Sequence, residues 1–341
     1  MDGSFDMQLN RIIKYRNVWI GLAMLWIVFF HSGFPVNSAP LLTFKELGYG
    51  GVDICLFASG IGCYYSLEKD PDLLRFLKRR VKRLGPAYIC FIVPWMIWKN
   101  QGLKMPPRVI LGNLLGIQTL VSWDYHFNWY IGGLVIYYLL TPYLKGLTDS
   151  CRNLRQDLLA GVFLTAITVP FWESGNSILI LSRIPVLYAG LVCGKLANRG
   201  YALNKRDLLL SGVLCVAGAV FLVDSLSRFP NWLWSRGLSW YPFAWIVPGG
   251  CIFLSWLAER MEGCKFLSWI NRTLETVGKY SFELYLVHVF LYESLMMIIK
   301  DHLPGLPDTL LWLGSIPVLI CGTYILKRLA DLFRWGADNL F

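Results

Sequence analysis

Several residues in this chain carry more chemistry than packing requires. His31 closes an apolar run that holds no charge from Val18 to Phe30, with Arg16 at its other end. An imidazole titrates near neutrality and can act as a general base. At the end of a lipid-embedded helix it is a functional-site candidate by default. The plainer alternative is a helix-end histidine at headgroup level, hydrogen-bonded to a neighbour. Asp53 opens a second apolar run at matching depth, so the two could work as base and orienting carboxylate; the alternative is a solvated aspartate favoured by its helix dipole. Arg80 and Arg83 stand three residues apart in a basic stretch and face one way on a helix, a spacing suited to gripping phosphates. A cluster touching anionic lipid headgroups would look the same. Arg183 lies inside an apolar run, where a guanidinium needs a partner or a wet cavity. Trp129 and Tyr130, in His126-Phe-Asn-Trp-Tyr-Ile131, are candidates for substrate contact or for an aromatic interface belt. Ser281, Glu283, Tyr285 and His288 share one apolar run but not one helical face, so part of that set is structural. His302, in a loop, reads as solvated.

The elements that must position these residues are membrane helices. Hydrophobic residues make up 55% of the 341 and charged residues 16%, with a mean hydropathy of +0.48. That composition lies outside the globular range and points to an all-α polytopic membrane protein. Apolar spans run at about 17–35, 49–67, 84–99, 126–144, 157–173, 177–197, 207–225, 238–258, 279–299 and 308–327, which makes ten. Residues 1–16 form a short polar lead, and the Gly-broken stretch 106–121 reads as interfacial or re-entrant. Lysines and arginines divide 24 to 7 between the two sides, which predicts both termini in the cytoplasm and His31 toward the outer leaflet. The first span reads as retained rather than cleaved, because Pro40 would follow the cleavage position. No internal repeat or soluble domain is visible, so 1–341 reads as a single membrane domain.

The net charge of +10 does not indicate nucleic acid, since the basic residues sit in short loops without a nucleic-acid motif. The nine cysteines include no C-x-x-C pair, so neither a disulfide nor a metal site is expected. P-loop, H-E-x-x-H, G-x-S-x-G and G-x-G-x-x-G patterns are absent from the sequence.

Taken together, Leu25-Trp-Ile-Val-Phe-Phe-His-Ser32, Gly50-Gly-Val-Asp-Ile-Cys-Leu-Phe-Ala-Ser-Gly60, Arg80-Val-Lys-Arg-Leu-Gly-Pro-Ala87, Trp129-Tyr-Ile131 and Tyr280-Ser-Phe-Glu-Leu-Tyr-Leu-Val-His288 resemble the bacterial integral-membrane acyltransferase family 3. That family includes O-acetyltransferases of surface polysaccharides and nodulation factors. The resemblance implies transfer of an acyl group, foremost acetyl, from acyl-CoA to a hydroxyl of a surface glycan or lipid-linked saccharide at the bacterial inner membrane. It implies His31 as the essential histidine and Arg80 and Arg83 as the Arg-x-x-Arg pair, with membrane lipids as surroundings. One departure stands out. The family's arginine eleven residues before the histidine is here Ile20, and Arg16 lies one turn further along the same face. A rival reading is a transporter or flippase for an anionic or glycolipid substrate, with Arg183, His31 and Asp53 lining its path.

Overall fold

The computed structural model describes residues 7–99, 104–122, 129–173 and 177–340. It is a helical assembly, joined at one corner by a two-residue antiparallel pairing of Met7–Gln8 with Ala202–Leu203. The principal helices are α1 (Arg16–His31), α2 (Gly51–Lys69), α3 (Leu73–Lys99), α4 (Trp129–Ser150), α5 (Leu154–Thr168), α6 (Ile184–Asn198), α7 (Lys205–Arg228), α8 (Phe243–Met261), α9 (Lys265–Lys279), α10 (Ser281–Phe290) and α11 (Asp308–Leu340). Helix falls within each of the ten expected spans. Among the described residues, five segments are long and apolar enough to cross a membrane: Leu154–Phe171, Ser177–Asn198, Lys205–Arg228, Leu238–Met261 and Asp308–Trp335.

Helix boundaries differ from the expected spans where a local device overrides apolarity. Asp72 accepts a hydrogen bond from the Arg75 amide and starts α3 eleven residues before the apolar stretch, so the basic cluster and the span form one 27-residue helix. The run 177–197 is broken at Ser182–Arg183, because Pro185 in the first turn of α6 has no N–H to continue the preceding helix. The last helix continues past 327 to Leu340. The stretch 259–279, expected as a loop, contains the amphipathic α9. Within 106–121, helix Pro107–Leu114 is about 12 Å long, too short to cross a bilayer, and Gly116 turns the chain at φ 71°.

Glycines bring the site helices into backbone contact at two places. A Cβ on Gly21 of α1 would overlap the Leu274 carbonyl of α9, and one on Gly278 of α9 would overlap the Asn17 carbonyl of α1. Gly60 of α2 and Gly190 of α6 are related in the same reciprocal way, against the carbonyls of Leu187 and Phe57. Small residues allow this approach where apolar burial alone gives little drive between helices.

Candidate active site

Helices α1, α2, α3, α4, α9 and α10 enclose a cavity of about 270 Å³. Arg16, Arg80, Arg83 and Lys279 line it, Lys279 also pairing with Glu275 at 2.7 Å, and among the described residues no aspartate or glutamate does. The choice of arginines follows from α3. Arg75 and Arg79 turn to Asp70, at 3.0 and 2.7 Å, and the hydrogen bond from Arg79 holds that carboxyl below its usual range. Arg80 lies on the other side, over the rings of Phe76 and Tyr138, with Nη2 donating to the Gly62 carbonyl at 3.3 Å. Gly62 also borders Arg16, since a Cβ there would stand 3.3 Å from Arg16 Nη1. Ile20 lines the same cavity, so Arg16 reaches it one turn from the position where the family resemblance expects an arginine.

A second, more open cavity of about 400 Å³ shares Arg83, Leu84, Lys279, Ser281 and Phe282 with the first. Among the described residues it adds Arg79, Lys82, Lys327 and Arg334, with Glu283 as the one acid lining it; Arg79 pairs with Asp70, and Lys327 and Arg334 pair with Asp331. Pro86 explains the place of Arg334. A proline cannot donate to the carbonyl four residues earlier, which here belongs to Lys82. Arg334 Nε donates to that carbonyl at 3.4 Å and Nη2 to the Arg83 carbonyl at 3.3 Å. The guanidinium of α11 thus fills the hydrogen-bond gap in α3 beside the cationic face.

Away from this cationic end, His31 meets His288 of α10. Their ring centroids are 5.2 Å apart and the planes near perpendicular, at 68°. His288 is buried, with Nδ1 3.2 Å from the Leu284 carbonyl. Neither imidazole lines the first cavity. Ile27, one turn before His31, does line it, as do Tyr130 and Tyr285, whose rings lie 5.1 Å apart. The Tyr285 ring in turn lies 5.5 Å from that of His288. The cavity therefore runs from the arginines to one turn short of the imidazole pair.

The profile of the acyltransferase 3 family, described as an acyltransferase domain, matches residues 17–328. The chain belongs to that family. No curated protein and no solved structure gives a match. The matched region of this membrane acyltransferase holds His31, Arg80, Arg83 and His288, while Arg16 stands one residue before it and Arg334 beyond it.

Asp53, expected to orient His31, lies against Arg183 in this acyltransferase. Its Oδ1 lies 3.4 Å from Arg183 Nε, and the two side chains are 0% and 1% exposed. Trp129 and Trp240 sandwich the guanidinium at 5.0 Å each, and Arg183 Nη1 donates to the Leu179 carbonyl at 2.8 Å. The break before α6 aims Arg183 into α2, and a carboxylate sealed from water takes the nearest cation. Trp129 thus belongs to the Arg183 cage and Tyr130 to the cavity. Glu283 faces the basic groove at the start of α10, and His288 faces His31 near its end. His126 lies outside the described residues, and His302 is exposed. Lys279, Lys327 and Arg334 have no spacing motif that marks them; the available signal is Pro86, which leaves a carbonyl in need of a distant donor.

Proposed function

We propose that this acyltransferase moves an acetyl group from acetyl-CoA to a hydroxyl of a cell-surface saccharide or its lipid-linked precursor, at the bacterial inner membrane. The observation that carries this reading is the first cavity, lined among the described residues by four cations and no carboxylate. Such a surface selects a polyanion, and guanidinium forks match phosphate oxygens in pairs. The second cavity shares Arg83 and Lys279 with it and adds Lys82, which extends the basic surface. The loop charges favour the cytoplasm for this end, where acyl-CoA is found.

His31 stands fifteen residues beyond Arg16, about 22 Å along α1. The pantetheine arm extends through the cavity toward Tyr130 and Tyr285, and the acceptor hydroxyl arrives from the opposite side. In the transfer step the hydroxyl oxygen attacks the thioester carbonyl while His31 takes its proton. The carbon–sulfur bond then breaks, the CoA thiolate leaves, and the proton returns to it. The transporter reading loses support because Arg183 and Asp53, two of its path residues, are closed onto each other. Mass analysis of surface glycans tests the proposal: an acetyl increment should be present with the wild-type gene and absent with His31→Ala at equal membrane abundance. Glycans identical in both would refute it.

A further inference from the structure

We infer that the inner end of the first cavity selects the acyl group: Ile27, Val52, Tyr130 and Tyr285 form a stop that keeps the donor to short, uncharged acyl chains. This rests on the reading of the cavity as the acyl-CoA site. The lining residues fall on successive turns of helices that pack side by side. On α1 they are Arg16, Ile20, Met24 and Ile27, and on α2, taken in the opposite direction, Gly62, Ser59, Cys55 and Val52. Gly62 borders Arg16 at the cationic end, so Val52 marks the other end, ten residues or about 15 Å along α2. Helix α4 repeats the order: Tyr138 stands under the Arg80 guanidinium, and Tyr130 lies about two turns away.

Two contacts close the inner end. A Cβ on Gly51 would stand 2.7 Å from Ile27 Cγ1, so α2 presses onto the Ile27 side chain and that side chain fills the seam between α1 and α2. Ile27 and the adjacent Val52 are both buried. On the facing side the rings of Tyr130 and Tyr285 pack across from α4 to α10. The chemistry of the lining changes along the same axis. Four cations line one end, whereas among the described residues the other is lined by Met24, Ile27, Val52, Leu134 and the two tyrosines, with no cation. A thioester at the end of the pantetheine arm therefore presents its acyl chain to a packed apolar wall. A long chain must displace side chains that are already in contact. A succinyl chain would also bury a carboxylate with no cation beside it.

The test uses the full-length protein in native membranes, which supply their own acceptor, and follows release of CoA from acetyl-, hexanoyl- and succinyl-CoA. In wild type, kcat/KM should fall at least about tenfold from acetyl to hexanoyl and about a hundredfold from acetyl to succinyl. Ile27→Ala shortens the stop and should raise the ratio of hexanoyl to acetyl kcat/KM about tenfold. The ratio of succinyl to acetyl should stay low, because added space brings no cation. Val52→Ala should move the hexanoyl ratio the same way, and it decides if Ile27→Ala does not accumulate. Equal kcat/KM for acetyl and hexanoyl in wild type, efficient succinyl transfer, or a hexanoyl ratio that both variants leave unchanged would overturn the inference. Calorimetric titration of CoA without an acyl group separates this from the reading beneath it. Binding of CoA together with a flat acyl preference refutes the stop alone, and no binding of CoA refutes the donor site itself.

Discussion

Arg80 and Arg83 differ from their basic neighbours in what they face rather than in charge. Arg75 and Arg79 pair with Asp70, whereas Arg80 and Arg83 line a cavity to which no described residue contributes an acid. Arg83→Ala should therefore raise the KM for acetyl-CoA about tenfold, roughly 1.4 kcal/mol, with kcat at saturation little changed. Steady-state kinetics in detergent or bilayers would show it; a fall in kcat alone would move Arg83 out of the donor site. His31→Ala should lower turnover by about a hundredfold or more without loss of membrane insertion, as expected for removal of a general base. Asp53 makes a different prediction now that its partner is Arg183. Asp53→Ala leaves a buried guanidinium unpaired and should cost about 3–5 kcal/mol of stability, while replacing both residues with leucine should cost much less. Thermal unfolding of the purified variants would separate this from a catalytic role, in which activity falls and the unfolding midpoint does not.

At the level of elements, the site depends on two joints that the apolar pattern does not reveal. One is the contact of α1 with α9 through Gly21 and Gly278, which sets the height of Arg16 and His31 against α10. Gly278→Leu should separate these helices and lower the unfolding midpoint together with activity. The other is the hold of α11 on α3, where Arg334 satisfies the carbonyls of Lys82 and Arg83 beside Pro86. Arg334→Ala should raise the KM for acetyl-CoA a few-fold through displacement of Arg83 and loss of one cation from the groove, and Arg334→Lys should recover only part, since one ammonium cannot copy the planar fork. Apolar runs located ten helical segments because hydropathy is local information. The early start of α3, the break at Arg183 and the amphipathic α9 depend on a cap, a proline and a packing face, which a hydropathy window averages away.

Across the whole molecule the helices divide by task. Of the five long apolar segments, Leu154–Phe171 and Lys205–Arg228 lie at the outer surface, 17% and 11% buried, whereas Ser177–Asn198 is 78% buried. None of them lines the first cavity, which is built from helices diluted with glycine, tyrosine and cations. The candidate site was legible in part for the same reason. His31, Arg80 and Arg83 stand out as costly residues in lipid or as a helical pair. Arg16 could be placed only on a helix face, until its shared cavity with Arg80 supplied the third dimension. The Asp53–Arg183 contact was not legible because depth along a helix does not say which way a side chain points, and Arg183 lies far away in sequence. The central claim is that the cationic cavity holds the acyl-CoA donor apart from the base. Calorimetric titration of acetyl-CoA into purified wild type, Arg80→Ala/Arg83→Ala and His31→Ala tests it without knowledge of the acceptor. The account predicts one site in wild type and in His31→Ala, weakened about a hundredfold in the double arginine variant; equal binding by the arginine variant, or none by wild type, would contradict it.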